Sequence, residues 1–418
     1  MKAGFFTLGC KVNIYETENL MNSFEEAGYE IVSFDEKADI FVINTCSVTN
    51  QSDVKARKVI RKCRNENKDA IMIVMGCYSQ LNIKEIQKIA KIDILIGNHE
   101  KIRVVELLEK YLIDKKMYRS NYDLTKVNYE VAKINKFFEH TRSFVKIQDG
   151  CENYCSYCVI PFARGRCRSK PLEIVIEEVK NLVCRGYKEV VLTGIHTGNY
   201  GTDIGTSLAK LLKELEKIDS LERIRLSSIE ITEIDDEMLD VISVSGKIVD
   251  HLHIPLQSGS NKTLKEMNRK YDLVFYKNKL KEIRSIRPKI SITTDVIVGF
   301  PGESIEDFEE TVNTVKECNF SKLHVFPYSI RTGTVAAKRK DQIHGSIKKY
   351  RAKKLLDLSN KLEEEYRLKF IGTKMDVLVE EYSDGYVFGY TRNYLRVKGL
   401  GKIDNCGKIM QLFVNEIE

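Results

Sequence analysis

The chain has 418 residues, of which 43% are apolar and 30% are charged, and its formal net charge is +7. This length exceeds what one hydrophobic core usually organises, so we expect two or three domains, and the mixed charges argue against long disorder. No apolar run approaches the roughly 20 residues of a spanning helix, and no secretory leader pattern follows Lys2. We therefore expect a cytoplasmic protein that does not enter a membrane.

Residues 1–130 alternate short apolar runs with segments of helical period, which predicts an α/β domain with a doubly wound parallel sheet. Cys10, Cys46 and Cys77 each follow one of these runs, in GFFTLGC, DIFVINTC and IMIVMGC. The carboxyl ends of parallel strands meet at one edge of a sheet, so the three thiols are predicted to converge on one site. The alternative is that three buried cysteines arose independently.

Residues 137–368 contain six strand candidates separated by helical segments, which predicts a partial (β/α)6 barrel, similar to part of a TIM barrel. The candidates are residues 143–148, 189–194, 223–228, 251–256, 290–300 and 322–329. Residues 120–137 lack a sustained period and are interpreted as a linker. Chemistry is expected at the C-terminal ends of the barrel strands.

The end of the chain differs from the rest. Between Lys338 and Lys369 there are eleven Lys or Arg against five Asp or Glu, which favours a polyanionic partner. Residues 371–418 alternate in strand fashion and predict a small antiparallel β module. Its charges nearly cancel, so RNA binding through Arg392 and Arg396, beside Tyr390 and Tyr394, is a weaker interpretation.

The segment DGCENYCSYC places Cys151, Cys155 and Cys158 just after the first barrel strand. Three thiolates can hold a 4Fe-4S cubane and leave its fourth iron open to the amino and carboxylate groups of S-adenosyl-L-methionine. The alternative is a zinc site with Cys167 as a fourth ligand, although zinc prefers paired CxxC knuckles. The eleven cysteines are an odd number, and those in helical segments or the tail are interpreted as inert thiols: Cys63, Cys184, Cys318 and Cys406.

Several polar or glycine residues follow the barrel strands and are predicted to contact the cofactor. They are Thr193, Gly194, Ser228, Glu230, Gln257 and Asp295, and Tyr157 in the cysteine loop is predicted to pack on the adenine. Each is equally compatible with a cap, turn or core role. Arg164, Arg166 and Arg168 are predicted to bind substrate phosphate or carboxylate, against the alternative of a solvated loop. A ligand role for His196 or His253 is disfavoured.

These motifs resemble the radical S-adenosylmethionine methylthiotransferase family along nearly the whole chain. The resemblance implies a flavodoxin-like N-terminal domain, a radical barrel and a C-terminal TRAM module that binds RNA. It also implies that Cys10, Cys46 and Cys77 hold an auxiliary 4Fe-4S cluster carrying the transferred sulfur, whereas Cys151, Cys155 and Cys158 hold the cluster that generates the radical. The implied partners are tRNA, a reducing electron donor and a sulfur donor, with the chain as a monomer.

Three strings, TLGCKVNIYETE, IPFARGRCRS and LTGIHTGNYG, are similar to those of the threonylcarbamoyladenosine class of this family. That class adds a methylthio group to carbon 2 of N6-threonylcarbamoyladenosine at tRNA position 37, using S-adenosylmethionine as methyl donor and as radical source. Isopentenyladenosine in tRNA and a ribosomal-protein aspartate are the alternative family substrates. A different class of hypothesis is an RNA-binding protein with structural or redox-sensing clusters.

Overall fold

The structure is a computed structural model that describes residues 1–132, 134–138 and 140–415. Its N-terminal part is a six-stranded parallel sheet with the order β2-β1-β3-β4-β5-β6. The strands are β1 (Lys2–Thr7), β2 (Glu30–Val32), β3 (Ile40–Thr45), β4 (Ile71–Gly76), β5 (Ile94–Ile96) and β6 (Tyr118–Ser120). The helices are α1 (Lys11–Glu26), α2 (Asn50–Glu66), α3 (Cys77–Ile89) and α4 (Val104–Asp114).

Both faces of this sheet are covered, because α2 and α3 share one apolar cluster with it and α1 and α4 share another. Complete burial explains why the central strands read as continuous apolar runs. The four predicted strands are confirmed. The edge strands β2 and β6 were not predicted, and β6 ends at the first residue of the segment that was interpreted as a linker.

The second part is a barrel of six parallel strands in the order β7, β10, β11, β12, β13, β14. These strands are β7 (Ser143–Lys146), β10 (Glu189–Thr193), β11 (Arg223–Leu226), β12 (His251–His253), β13 (Ser291–Val298) and β14 (Lys322–Pro327). Parallel bridges at Ile224↔Ile248 and Ser228↔His253 join its two three-stranded halves. The predicted partial barrel is therefore confirmed, with strands somewhat shorter than the apolar runs.

A two-residue hairpin, β8 (Gln148–Asp149) with β9 (Arg168–Ser169), precedes the second barrel strand. The outer helices are α5 (Ile160–Arg164), α6 (Leu172–Cys184), α7 (Leu208–Glu216), α8 (Asp236–Val244), α9 (Asn261–Glu266), α10 (Leu273–Ile286) and α11 (Ile305–Cys318). The basic segment forms α12 (Gly345–Leu368), which packs along β14. At the other edge, α1 of the N-terminal part packs along β7. The two edges of the open barrel thus receive helices from different parts of the chain.

The C-terminal part is a four-stranded antiparallel sheet with the order β17-β16-β15-β18. Its strands are β15 (Lys374–Ser383), β16 (Tyr386–Thr391), β17 (Arg396–Leu400) and β18 (Ile409–Phe413). Residues 416–418 of the predicted third domain lie outside the described residues. The limits 1–130, 137–368 and 371–418 remain our proposal for the domain division. None of the helices in the described ranges has the length and apolar content to span a bilayer.

Candidate active site

The loop that carries Cys151, Cys155 and Cys158 is closed at its base by the hairpin of β8 and β9. Gly150 lies at φ +81°, and a Cβ there would stand 1.9 Å from the carbonyl oxygen of Arg166, so the turn requires glycine. The amide of Cys151 donates to the carbonyl of Gly165 at 3.0 Å. Both ends of the loop are therefore fixed at the carboxyl end of the first barrel strand.

The middle of the loop is held by the turn after α9. The amide of Ser156 donates to the carbonyl of Met267 at 3.0 Å, and Asn268 Nδ2 donates to the carbonyl of Tyr154 at 3.0 Å. Arg269 Nη1 donates to Cys155 Sγ at 3.2 Å, and the same guanidinium pairs with Glu230. Glu230 thus reaches the cysteine loop through Arg269, a residue that no sequence motif indicated.

Burial and the neighbouring thiols raise the pKa of Cys158 to about 12. A free thiol there is protonated at neutral pH and becomes a thiolate when it binds a metal. Burial alone would lower the pKa of His196, but hydrogen bonds to Cys151, Cys167 and Glu233 raise it to about 12. The cationic imidazole therefore favours negative sulfur beside it.

The other cysteine set lies where the sequence predicted, at the carboxyl ends of the adjacent strands β1, β3 and β4. Cys10 is the N-cap of α1, Cys46 directly follows β3, and Cys77 is the first residue of α3. The N-terminal ends of α1 and α3 carry partial positive charge, which attracts negative groups near Cys10 and Cys77, whereas burial raises the pKa of the Cys10 thiol. Topology therefore brings together three residues that are distant in sequence, and it gives two of them an electropositive environment.

Two glycines allow these strand ends to approach closely. Gly9 has φ +106°, and a Cβ on it would lie 2.7 Å from Cys46 Sγ. Gly76 has φ +103°, and a Cβ on it would lie 2.4 Å from the carbonyl oxygen of Thr45. Any side chain at either position would push the cysteine-bearing turns apart.

The donor set at these thiols fits an iron–sulfur cluster. Cys77 Sγ accepts hydrogen bonds from Asn98 Nδ2 at 3.3 Å and from Arg164 Nε at 3.4 Å. Donors aimed at sulfur stabilise a thiolate and, in clusters, influence the reduction potential. Burial raises the pKa of Cys46 to about 12, so metal binding is what would ionise this thiol.

The zinc alternative named Cys167 as a fourth ligand. Across residues 1–132, 134–138 and 140–415, no three His, Cys, Asp or Glu side chains are arranged around a single ion position. Cubane ligands lie around four irons and are spaced more widely than the ligands of one ion. Cys167 Sγ instead lies 3.8 Å from the carbonyl oxygen of Gly150 and accepts from Asn199 Nδ2 at 3.1 Å.

Arg164 lies between the two cysteine sites. It was predicted to bind a substrate phosphate or carboxylate, and the structure shows a different role. Its side chain is fully buried, and its guanidinium donates to Glu16 Oε1 at 2.5 Å, to Asp149 at 3.3 Å and to Asn13 Oδ1 at 2.6 Å. Burial opposes ionisation of Glu16, but Arg164 and two lysines hold its pKa well below the usual value. Arg164 is therefore engaged inside the protein and has no free face for a substrate phosphate.

Arg168 was also predicted to bind substrate, but it is buried and donates to the carbonyls of Leu124 at 2.8 Å and Arg164 at 2.8 Å. These hydrogen bonds hold the linker against the segment that follows the cysteine loop. Arg166 is the exposed member of the series. The sequence did not indicate that Arg164 and Arg168 are buried structural residues, because their partners are distant in sequence.

A cleft of about 1340 Å³ runs between the N-terminal part, the barrel strands and the C-terminal sheet. Its lining includes Cys10 together with four of the predicted cofactor contacts: Thr193, Gly194, Ser228 and Asp295. Gln257 and Tyr157 do not line it. Tyr157 instead packs with the buried cluster of Met267, Phe300, Tyr328 and Ala336, which is the core role considered as its alternative.

The C-terminal sheet is bound to the barrel floor, where the strands begin, and this corrects the prediction for Arg392. Arg392 Nη2 donates to the carbonyls of Gly246 at 2.8 Å and Ile248 at 2.9 Å, so its guanidinium faces the barrel. Tyr394 stacks on His251 with ring centroids 4.7 Å apart, and Tyr390 stacks on Tyr394 at 4.8 Å.

Arg396 remains exposed and pairs with Glu381 at 2.8 Å. Of the two predicted arginine contacts in the tail, only Arg396 is open to a substrate.

Comparison with known proteins agrees with this geometry. The model of the Radical SAM superfamily matches residues 145–315, and that of the Uncharacterized protein family UPF0004 matches residues 2–97. The structure of the radical S-adenosylmethionine methyltransferase TsrM from Kitasatospora setae aligns with a TM-score of 0.58 at 13% identity, over 80% of this chain and 74% of that one. At that identity the likeness concerns the fold. The class is that of radical S-adenosylmethionine enzymes, which use a 4Fe-4S cluster and S-adenosylmethionine.

Two curated relatives narrow the class. A protein of Bacillus subtilis (strain 168) named Threonylcarbamoyladenosine tRNA methylthiotransferase MtaB is 44% identical over 98% of this chain and 92% of its own length. A protein of Alkaliphilus oremlandii (strain OhILAs) named tRNA-2-methylthio-N(6)-dimethylallyladenosine synthase is 34% identical over 98% of this chain and 89% of its own length. The chain belongs to the radical S-adenosylmethionine methylthiotransferase family.

Proposed function

We propose that this enzyme adds a methylthio group to carbon 2 of N6-threonylcarbamoyladenosine at position 37 of tRNA. The observation that carries the proposal is the placement of Cys10, from the second three-cysteine site, in the same cleft as the barrel strand ends. A reaction that joins a radical and a sulfur source needs both groups to reach one substrate atom. The cleft supports this proposal because it opens on Cys10 and on the carboxyl ends of several barrel strands.

In this proposal Cys151, Cys155 and Cys158 hold one 4Fe-4S cluster, and Cys10, Cys46 and Cys77 hold a second. When bound, the clusters and S-adenosylmethionine supply a carbon radical and the sulfur for transfer. Arg269 and Glu230 orient the first cysteine loop, while Asn98 and Arg164 donate to sulfur in the second site. Thr193, Gly194, Ser228 and Asp295 bind and orient the nucleoside groups within the cleft.

The choice of tRNA substrate is supported by the higher identity to the relative named for threonylcarbamoyladenosine than to the one named for dimethylallyladenosine. The phosphate backbone would meet exposed cations outside the cleft, namely Arg166, Lys349, Lys353 and Arg396. Such contacts position an RNA without reading its sequence. A reducing electron donor and a sulfur donor complete the proposed reaction.

The test is anaerobic reconstitution followed by incubation with reductant, sulfide, S-adenosylmethionine and tRNA that contains threonylcarbamoyladenosine. We expect about eight irons per chain, as two cubanes require, with 5′-deoxyadenosine and a methylthio nucleoside detected by mass spectrometry. Matched tRNA containing dimethylallyladenosine, and ribosomal protein, serve as competing substrates. Deoxyadenosine with modification of a competing substrate alone would refute the substrate assignment. A fully loaded protein that forms no deoxyadenosine would refute the enzymatic proposal in favour of structural or redox-sensing clusters.

A further inference from the structure

Deep in the cleft, three nitrogen-bearing side chains face the same space and lack a full set of partners. Lys11 follows Cys10 and is half-buried, and in the described part of the chain its ammonium group makes no hydrogen bond or ion pair. Arg225 on β11 and His251 on β12 line the same cleft. The three come from α1 and from two adjacent barrel strands, so the fold gathers them.

The arginine and the histidine each keep one nitrogen unpaired although they are buried. Arg225 is 1% exposed, and its Nε donates to Glu189 Oε1 at 2.6 Å, but its Nη1 has no partner in the described structure. His251 is 6% exposed and bonds Thr293 Oγ1 through Nε2 at 3.0 Å, while its Nδ1 is likewise without a partner there. Buried polar nitrogens without a hydrogen-bond partner are rare, because each loses its hydration without compensation.

The local charge balance is positive. Around the three side chains lie the cations Arg142 and Arg223 and the carboxylates Glu189 and Glu380, which pair with those arginines at the barrel floor. Lys11 and Arg225 add two cations to this group. The charged side chains of the cleft lining are also mainly cationic, with Lys11, Arg225, Lys322, Arg367, Arg396 and Lys398 against Asp295 and Glu363. An anion with several acceptor oxygens would complete both the charge balance and the hydrogen bonding.

We propose that Lys11, Arg225 and His251 form a subsite for the carboxylate of the threonylcarbamoyl group and so determine which modified adenosine is accepted. This inference rests on the proposed function. The threonylcarbamoyl group carries one carboxylate, whereas a dimethylallyl group carries none and would leave the donors unpaired. A site that hydrogen-bonds a polar group discriminates strongly against an analogue that lacks it. Lys11 is the residue after Cys10, so the backbone links the subsite to the second cysteine site.

The test uses two synthetic anticodon stem-loop RNAs that differ only in charge: one carries threonylcarbamoyladenosine, the other its methyl ester. Methylthio formation and RNA binding are both measured for the wild type and for Lys11→Gln. We expect the wild type to prefer the acid by about 10- to 100-fold, the range for a hydrogen bond to a charged group, mainly through KM. Lys11→Gln should bring that ratio close to one, and Lys11→Arg should restore most of it.

The matched control is Lys322→Gln, which removes a lysine that lines the same cleft but pairs with Glu363 at 2.8 Å. Its acid-to-ester ratio should equal that of the wild type. The subsite proposal would be wrong if the wild type did not distinguish the acid from the ester, or if Lys11→Gln kept the acid-to-ester ratio of the wild type. The cations would then bind another anion such as RNA phosphate. Preferential binding of the acid without methylthio formation would instead overturn the proposed function and keep the subsite.

Discussion

The two three-cysteine sites are built in opposite ways. Cys151, Cys155 and Cys158 lie in one loop whose ends are closed by a hairpin, so local geometry fixes the spacing of their thiols. Cys10, Cys46 and Cys77 come from three βα units, and the register of β1, β3 and β4 fixes theirs. A site of the first kind is visible as a motif, whereas a site of the second kind depends on the fold and on the buried contacts that join the N-terminal part to the barrel.

The largest effect should follow from the local site. Cys155→Ala removes a thiol that accepts from Arg269, and a cubane with two protein ligands is not retained. We expect deoxyadenosine formation to fall to the level without enzyme, and iron content to drop by about four atoms per chain. Cys184→Ala, at an exposed cysteine in α6, is the control and should keep both values. Normal deoxyadenosine formation by Cys155→Ala would disprove the ligand assignment.

A substitution in the second three-cysteine site should affect the two products differently, namely 5′-deoxyadenosine and the methylthio nucleoside. Cys46→Ala is expected to abolish the methylthio product and remove about four irons, because we propose that this thiol holds the second cubane, while deoxyadenosine formation persists. The comparison variant is Cys63→Ala, which alters another buried cysteine of the same sheet domain and should leave iron content unchanged. If Cys46→Ala still yields methylthio nucleoside, the thiols of this sheet edge do not form the sulfur site.

The free energy of unfolding should depend on the buried charge of Arg164, which lies between the two cysteine sites. Arg164→Met keeps bulk but leaves Glu16 and Asp149 buried without their shared guanidinium, which should lower the free energy of unfolding by about 3–5 kcal/mol. Chemical unfolding of the anaerobic protein measures this. Arg166→Met, two residues away and exposed, should change it by no more than about 0.5 kcal/mol. Equal effects of the two substitutions would show that the buried network does not stabilise the interface.

The smallest effect should be confined to the C-terminal sheet. Arg392→Ala removes hydrogen bonds to two barrel carbonyls, with an expected loss of about 1–3 kcal/mol at the contact between sheet and barrel. Hydrogen exchange should accelerate in β15 to β18 and remain unchanged in β7 to β14. Arg396→Ala removes only an exposed ion pair and should change exchange little. Unchanged exchange in Arg392→Ala would mean that the remaining contacts hold the sheet, namely the tyrosine stack, the Arg142–Glu380 pair and the hydrogen bonds from Arg223 to the carbonyls of Tyr390 and Asp376.

Much of the architecture was predictable from the sequence. The spacing of apolar residues indicated the helices and strands, and the residues at the strand ends indicated the site. The strands before Cys46 and Cys77 are buried at every residue, and complete burial leaves an unbroken apolar signal. The strand before Cys10 is buried or half-buried after Lys2, and its run is apolar as well. The strands β2 and β6 have three residues each and are only partly buried, so their apolar content gave no such signal.

Side chains whose partners are distant in sequence were the least predictable. Arg164 was predicted to bind a substrate phosphate or carboxylate because Glu16, its main counter-ion, lies far away along the chain. Arg269 was missed for the same reason, because the sequence around it contains no motif that predicts contacts with Cys155 and Glu230. The loop of the first site was predictable from spacing, whereas the contacts that orient it required the tertiary structure.

The three thiols of the sheet edge differ in their exposure. Cys46 and Cys77 are 3% and 4% exposed, whereas the Cys10 side chain opens into the cleft. Under the proposed function, the opening that admits the nucleoside also admits dioxygen and peroxide, and these oxidants would reach the second three-cysteine site first at Cys10. Occupation of the cleft by RNA would then shield this corner, so the substrate itself would protect the enzyme from oxidative inactivation.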